Sequence, residues 1–323
     1  VSVVAETAVA QSLGAAATFK TSTPGSPDSV YDAGTNRVVI VYGDPSDGDK
    51  GKAIVGTVSG TDISFGSQVV FNAGNTGAKS VTYDSASEKV VIAYKDAGNS
   101  SYGTAIVGTV SGTTISFGSE VVFASATIVE IKSTFDSASN KVVISYIDQD
   151  NSNYGIAIVG TVSGTSISFG TAAVWNSNRS DFTSIAFDSS ANKVVITFAS
   201  ATGSPSYEGK AIVGTVSSTN ISYASAVVFE SGRTENTSVV YEANAQKVVI
   251  AYKDKGNSSY GTAIVGTISG TSISFGTAVV FDSSNSEAFS TDFDASNNTV
   301  VIAYHHGQSG KGYLIAGTVS GTN

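Results

Sequence analysis

A repeat of about 52 residues is the feature that most constrains the fold of this chain. The string GTVSGT or a close variant begins six times, and successive copies are 52, 52, 54, 52 and 51 residues apart, starting at Gly56, Gly108, Gly160, Gly214, Gly266 and Gly317. Six units of this size account for nearly all of the 323 residues. A fixed period of this length is typical of solenoids, propellers and other arrays, in which each unit buries its apolar face against its neighbours.

Each unit contains four strand-like segments, which we call strands A to D. In the second unit they lie near residues 80–84, 89–96, 102–110 and 115–123, separated by turns rich in Ser, Gly, Asn and Asp. Strands B and C are apolar on both faces, as in VVIAY and AIVGTV, which is typical of strands buried on both sides. Strand D alternates Ile115 and Phe117 with Ser116, which predicts a half-exposed outer strand.

This pattern predicts an all-β chain folded as a six-bladed β-propeller with four antiparallel strands per blade. Separate β-sandwich domains would need about 100 residues each, roughly twice the period. The last unit stops after strand C, and residues 11–19 (QSLGAAATF) align without gaps with residues 63–71 (ISFGSQVVF). We therefore expect the N-terminal strand to complete the last blade and close the ring, because closure leaves no free strand edge. The predicted organisation is an extension over residues 1–10 and one propeller domain over residues 11–323.

The composition agrees with this prediction and excludes several classes of function. Leu occurs only twice, whereas the β-branched and aromatic residues that favour strands are abundant. Charged residues make up 13% and the formal net charge is −9, which argues against a nucleic-acid partner. The absence of Cys excludes disulfides, thiolate zinc sites and Cys nucleophiles, and no apolar run is long enough for membrane insertion. The absence of Met leads us to expect a processed chain or a module, joined to a parent polypeptide or assembly through residues 1–10.

The loops of a four-stranded meander fall on two faces of the ring. The A–B and C–D turns share one face and are nearly uniform, so we assign them structural roles in turns. The B–C loops and D–A connections share the other face, and they carry all the length variation, including two extra residues in unit four. Variable loops on a constant scaffold favour a binding surface, although drift of unconstrained loops would produce the same variation.

Candidate ligand-binding groups lie on this variable face. An Asp follows strand B in four units, where it could bind cations or sugar hydroxyls or cap its own loop. A Tyr opens or precedes strand C in five units, where it could stack on sugars or pack beneath the loop. Two Arg lie in neighbouring D–A connections. The only two His are adjacent in the sequence, so their side chains point to opposite faces of a strand, which favours a surface pair over a metal site. The candidates are Asp96, Tyr102, Asp148, Tyr154, Arg179, Tyr207, Arg233, Asp254, Tyr260, His305 and His306; Asp44 and Tyr313 are the remaining members of the Asp and Tyr sets.

Two acidic loops have the close spacing of oxygen ligands that suits calcium. They contain Asp44, Asp47 and Asp49 in unit one and Asp148 and Asp150 in unit three. Neither has Gly at the sixth position with a distal Glu, so a solvated acidic loop is the favoured interpretation and we expect no cofactor. The chain also lacks nucleophile-elbow, phosphate-loop and HExxH motifs, so we assign no catalytic residues and predict a non-enzymatic protein.

The segment KVVIAYKDAGNSSYGTAIVGTVSGTTISFGSEVVF, residues 89–123, resembles a repeat found in structural and fibre-like proteins of marine bacteriophages, especially cyanophages. The resemblance covers nearly the whole chain from Gln11. It implies a tail-associated or virion-surface module, hence an extracellular or virion location, that contacts a host or another virion protein. It supplies no catalytic or ligand-binding residues to carry over.

Three hypotheses of function follow. The first is a non-enzymatic adhesion or receptor-binding module that contacts a surface glycan or protein through the B–C and D–A loops. The second is a purely structural component of a virion or surface assembly. The third is a secreted glycan-active enzyme that works in the central pocket of the ring.

Overall fold

The computed structural model describes residues 14–201 and 207–322. This part of the chain is all-β, with antiparallel strands that pair mostly with their neighbours in sequence. The predicted extension over residues 1–10 and the first three residues of the predicted closing strand lie outside the described residues. The described chain contains no helix of the length and apolarity needed to cross a membrane.

The strands follow the repeat closely. Repeats one and two contain β1 (Gly25–Asp32), β2 (Arg37–Asp44), a 3₁₀ turn (Pro45–Asp47), β3 (Lys50–Ser59), β4 (Asp62–Phe65), β5 (Val69–Asp84), β6 (Lys89–Asp96), β7 (Tyr102–Ser111), β8 (Thr114–Phe117) and β9 (Val121–Ala124). Repeats three and four contain β10 (Ile128–Asp136), β11 (Lys141–Asp148), β12 (Tyr154–Ser163), β13 (Ser166–Phe169), β14 (Ala173–Asn176), β15 (Ser180–Asp188), β16 (Lys193–Ser200), β17 (Glu208–Ser217) and β18 (Asn220–Tyr223). Repeats five and six contain β19 (Val227–Glu242), β20 (Lys247–Asp254), β21 (Tyr260–Ser269), β22 (Ser272–Phe275), β23 (Val279–Asp282), β24 (Ser286–Asp294), β25 (Thr299–His306) and β26 (Lys311–Gly317).

Two details differ from the predicted strands. Strand A begins several residues earlier than predicted, and β5 and β19 each run without a break from strand D of one repeat into strand A of the next. Strand D is divided into two short strands, such as β8 and β9. The division falls where Gly118 meets the next repeat so closely that a Cβ there would lie 1.8 Å from the carbonyl oxygen of Thr165. Only glycine fits at such a close approach.

The hydrophobic core lies between neighbouring repeats rather than within them. Each of five apolar clusters combines side chains from two consecutive repeats. Phe71 of repeat one, for example, packs against Tyr94 and Phe117 of repeat two, with ring centroids 5.2 and 5.9 Å apart. Trp175 is buried, as its position predicts, and its Nε1 donates to Ser145 Oγ at 3.1 Å. The repeats therefore stack face to face, as units of a β-propeller do.

Residues 14–19 lie against repeat one in the place that a strand D takes against the following repeat. Phe19 packs on Tyr42 and Phe65, with centroids 5.4 and 6.0 Å apart, as Phe71 does one repeat later. A Cβ at Gly14 would lie 1.8 Å from the Thr61 carbonyl oxygen, which is the contact seen at Gly118. This part of the predicted alignment is therefore confirmed.

The described residues do not pair with the outer edge of β26. Leu314 in this strand is 53% exposed, whereas Ala105, its equivalent in repeat two, is fully buried. Ring closure through residues 11–19 accordingly stays a prediction.

The uniform turns have the structural role that was expected of them. In the A–B turn of repeat two, Asp84 Oδ1 accepts hydrogen bonds from the backbone N–H groups of Ala86 and Ser87 at 3.0 and 3.1 Å. Glu88 follows with φ +54°, and Gly112 in the next C–D turn has φ +62°. The face formed by these turns is held by its own hydrogen bonds.

Candidate functional site

The residue that follows strand B caps its own B–C loop. Asp96 Oδ1 accepts hydrogen bonds from the backbone N–H groups of Gly98 and Asn99 at 3.0 and 3.2 Å. In repeat six His306 takes the same role, because its Nδ1 accepts from the Ser309 N–H at 3.2 Å. Equivalent bonds are made by Asp44, Asp148 and Asp254. The geometry therefore favours loop capping over a ring of carboxylates that bind a ligand.

The acidic loop of repeat one is neutralised by lysines. Asp44 is held by Lys20 Nζ and Lys52 Nζ, both at 2.7 Å, and Asp47 by Lys50 at 2.8 Å and Lys52 at 2.9 Å. These ammonium groups hold the pKa of Asp44 well below its usual range and also lower the pKa of Asp47. Nowhere among the described residues do three or more Asp, Glu or His side chains come together to hold a metal ion.

The two Asp side chains in the acidic loop of repeat three also accept hydrogen bonds from backbone N–H groups. Asp148 caps the loop as described above, and Asp150 Oδ2 accepts from the Thr127 N–H at 2.8 Å. Asp49, in the loop of repeat one, contacts the Asn75 amide at 3.4 Å. Neither loop thus supports the calcium hypothesis.

Most of the tyrosines close the B–C loop rather than stand out from it. Tyr102 is half-buried at the start of β7, and its N–H donates to the Asn99 carbonyl at 3.0 Å. Tyr154 and Tyr260 repeat this arrangement in β12 and β21. Tyr313 is more exposed and stacks on Tyr304, with centroids 5.7 Å apart. The first three of these side chains are half-buried and that of Tyr154 packs against the core, so the packing interpretation is favoured for them.

Repeat four brings three sequence candidates to one place, which we call the arginine–tyrosine patch: Arg179, Tyr207 and Arg233. The guanidinium carbon of Arg233 lies 5.0 Å from the centroid of the Tyr207 ring, within the range of a cation–π contact. At the other end of the same B–C loop, the Arg179 carbonyl accepts from the Ala201 N–H at 3.0 Å. The side chains of Arg179 and Arg233 are 55% and 51% exposed. The two arginines therefore flank the longest B–C loop of the chain.

Each arginine of the patch is oriented by a carboxylate two residues later. Arg179 Nε lies 2.9 Å from Asp181 Oδ2, and Arg233 Nη2 lies 2.9 Å from Glu235 Oε1. The carboxylate of Asp181 raises the pKa of Arg179. A guanidinium has five N–H donors, so one ion pair fixes its direction and leaves other donors for a ligand.

A second feature is a central pocket of about 350 Å³ lined by all six repeats, whose lining residues are not among the candidates that the sequence offers. Its wall is formed by the first residues of each strand A, where the pairing register with strand B shifts. Such β-bulges redirect side chains. The residue at the bulge has positive φ in five repeats: Ser26, Glu130, Phe182, Asn236 and Ala288. Other lining residues are Asp28, Lys79, Lys132, Thr183, Thr237 and Phe289.

Hydrogen bonds around the pocket join consecutive repeats. Three residues before the aromatic residue that ends strand A, a side chain accepts from a backbone N–H of the next repeat: Asp28 from Val81 at 2.9 Å, Ser80 from Ser133 at 3.0 Å, Ser184 from Val239 at 3.1 Å and Ser238 from Thr291 at 3.1 Å. Repeat three has Lys132 at this position. There Glu130 Oε2 accepts from the Thr183 N–H instead, at 2.8 Å.

Burial shifts the titration of three pocket residues. It raises the pKa of Asp28 and of Glu130, although Lys132 and the backbone N–H groups act in the opposite direction. Lys79 is buried between repeats one and two, where its Nζ donates to the carbonyls of Thr76 and Gly77 at 3.1 and 2.5 Å. This burial lowers the pKa of Lys79 to about 8.

The sequence does carry a signal for this pocket. Aligned on the aromatic residue that ends strand A, the repeats have similar strands B and C but differ at the start of strand A. The residue three positions before that aromatic is Asp28, Ser80, Lys132, Ser184, Ser238 or Ser290. This variation is harder to see than that of the loops, because it changes the residue type inside a strand and leaves the length of the repeat unchanged.

No protein-family model and no curated protein matches this chain. Among solved structures, the crystal structure of a protein from Lactobacillus plantarum is similar, with a TM-score of 0.57 over 92% of this chain and 85% of that chain. The two sequences are 11% identical. At this identity the likeness concerns the fold alone, and it is consistent with a β-propeller-like arrangement of antiparallel sheets.

Proposed function

We propose that this chain is a non-enzymatic six-bladed β-propeller, closed by residues 11–19 against β26, that binds a surface glycan or protein through its B–C and D–A loops. Closure is supported by the contacts of Gly14 and Phe19 with repeat one, which match those of a strand D. It is supported further by the exposed apolar edge at Leu314. A propeller presents all its B–C and D–A loops on one face, so a ligand can contact several repeats together.

The arginine–tyrosine patch carries the proposal of binding. It combines two half-exposed guanidinium groups with an aromatic ring on a chain of net charge −9. Arg and Tyr are enriched among residues that dominate the free energy of binding at interfaces, and the planar guanidinium suits carboxylate or sulfate groups. An acidic glycan or an acidic protein surface is the class of partner that fits this patch. The opposite face, by contrast, consists of turns whose polar groups bond to one another.

The location that we propose is a virion or cell surface. The resemblance of residues 89–123 to repeats of phage fibre-like proteins supports this location, and host attachment is the role that such a location favours.

The experiment is a binding assay of the purified chain on a glycan array and on host cells. We compare the wild type with the double variant R179Q/R233Q and with the control K141Q/K193Q, which removes two positive charges from strand B positions near the opposite face. Exposed ion pairs contribute little to stability, so all three proteins should melt at similar temperatures. We expect R179Q/R233Q to lose at least about tenfold in affinity and the control to keep it.

Two results would contradict the proposal. A wild-type chain that binds no glycan and no cell would favour a purely structural component. Equal binding by R179Q/R233Q and wild type would place the contact surface away from the patch.

A further inference from the structure

Repeat three departs from the other repeats at the central pocket in two linked ways. Where four other repeats have Asp28, Ser80, Ser184 or Ser238, each accepting from the next repeat, repeat three has Lys132, and an ammonium group cannot accept a hydrogen bond. Two residues earlier, Glu130 accepts a different hydrogen bond from repeat four, that of the Thr183 N–H. Repeat three thus also bonds to the next repeat, but through the N–H of Thr183 rather than through that of Ile185, which is the residue equivalent to Val81.

These two changes leave the ammonium group of Lys132 without a structural role in the fold. Lys132 is exposed on the pocket wall, and it forms no hydrogen bond or close ion pair within the described part of the chain. It interacts at longer range with Asp28 and Glu130, whose carboxylates already accept from backbone N–H groups. An exposed ammonium on a concave surface, near carboxylates that are engaged elsewhere, is a group available to a ligand.

We propose that the central pocket is a second ligand site, separate from the arginine–tyrosine patch, and that it binds a small molecule bearing a carboxylate through Lys132. The volume of about 350 Å³ lies in the range of small-molecule sites. Phe182 and Phe289 contribute apolar surface to the wall, and Asn236 contributes an amide. These groups suit a compact body, either a sugar ring or an aryl group, attached to the carboxylate.

Removal of the Glu130 charge should change the affinity for the acid in the opposite direction from removal of the Lys132 charge. A ligand carboxylate has to share Lys132 with the Glu130 carboxylate, so removal of the Glu130 charge should strengthen binding of the acid. The glutamine side chain in the variant E130Q still offers an amide oxygen to the Thr183 N–H, which preserves the inter-repeat bond. If the pocket instead recognised hydroxyl or amine groups through its carboxylates, the same variant would bind more weakly.

The experiment is calorimetric titration of the purified chain with three acids, which are benzoate, glucuronate and N-acetylneuraminate. Benzamide and glucose serve as neutral counterparts, and the aryl and sugar acids distinguish the two kinds of body. We expect saturable binding of at least one acid, with its neutral counterpart at least about tenfold weaker, because a charge-assisted hydrogen bond is lost. K132Q should lower the affinity for the acid by at least about tenfold, E130Q should raise it, and the control K141Q should leave it unchanged.

Any of four results would overturn the proposal: no acid binds, acids and neutral counterparts bind equally, K132Q binds as the wild type does, or E130Q binds more weakly. The site stands or falls separately from the proposed function. R179Q/R233Q should bind the probe acid normally, and K132Q should attach to glycans or cells normally.

Discussion

Gly312 in β26 offers a direct test of ring closure. In five repeats the equivalent glycine lies under the aromatic residue that ends strand D. A Cβ added there would lie 2.4 Å (Gly51, Phe71), 2.5 Å (Gly103, Phe123), 2.3 Å (Gly155, Trp175), 2.5 Å (Gly209, Phe229) or 2.7 Å (Gly261, Phe281) from the ring. A Cβ at Gly312 would meet nothing within 4 Å among the described residues beyond its own chain neighbours. In a closed ring, residues 11–19 complete the last blade and the ring of Phe19 lies over Gly312.

The variant G312A therefore has opposite effects in the two arrangements. In a closed ring the new methyl group meets Phe19, and overpacking of this kind costs about 1–3 kcal/mol. In an open ring, alanine relieves a glycine in a strand and adds about 0.5–1 kcal/mol of stability. With an unfolding entropy of about 2.1 cal/mol/K per residue, closure predicts that Tm falls by about 1.5–4 °C, and an open ring predicts a rise of about 1 °C.

The assay is differential scanning calorimetry of wild type, G312A, F19A and the double variant. G155A is the positive control, because Trp175 contacts that glycine within the described residues. Closure further requires that G312A destabilise the wild type but not F19A, since removal of the Phe19 ring removes the clash. A rise in Tm, or the same fall with and without Phe19, would refute the closed ring.

Two further predictions address closure and the buried lysine. The alignment pairs Thr18 with Tyr313, so T18C/Y313C should form a disulfide in this Cys-free chain, measured by thiol titration and a mobility shift. T18C/L314C should not, because adjacent strand residues point to opposite faces; a disulfide in the control but not in the test pair would contradict the register. The pKa of Lys79 is lowered to about 8, so above that pH the unfolded chain holds a proton that the folded chain has lost, and stability should rise from about pH 8 to 10.5. K79M should lack this rise in urea melts, and parallel pH curves for the two proteins would show that Lys79 does not titrate as the structure indicates.

Much of the fold could be predicted from the sequence because the pattern that specifies it is local. The alternation of Ile115, Ser116 and Phe117 describes a half-exposed strand, and β8 has that pattern of burial. The residues that line the central pocket could not be predicted in the same way. The role of Asp28 depends on the N–H of Val81, which lies 53 residues later in the chain but adjacent in space. The β-bulge that shifts the register of each strand A does not change the length of the repeat, so the period of the sequence does not reveal it.

The patch was predicted in part, and the limit is again one of distance in the chain. Arg179 and Arg233 could be placed in neighbouring connections by counting residues, and Tyr207 by its position before strand C. Their assembly around one loop follows from contacts between repeats, namely the bond from the Ala201 N–H to the Arg179 carbonyl and the position of Arg233 over Tyr207. The sequence shows which residues share a face, whereas packing decides which of them meet.

Several residues differ from their equivalents in other repeats and still have a structural role. His306 replaces the Asp of other repeats and still caps its loop through Nδ1. Ser218 replaces a turn glycine and keeps a positive φ of 57°. Glu130 bonds to repeat four through the Thr183 N–H, where position 132 offers no acceptor. The first two departures retain the hydrogen bond or backbone conformation of the other repeats, and the third keeps a hydrogen bond between neighbouring repeats.

Lys132 and the two arginines of the patch are departures of another kind. Lys132 is the only cation at its position in the six repeats, and Arg occurs at the equivalent positions 179 and 233 but not in the other four repeats. Each of these side chains adds a cation that no inter-repeat bond requires. An added exposed charge on a rigid scaffold contributes little to stability, so its use is best sought in what it can bind. In a chain of near-identical units, the substitutions that have no structural role in the fold are therefore the ones that indicate ligand binding.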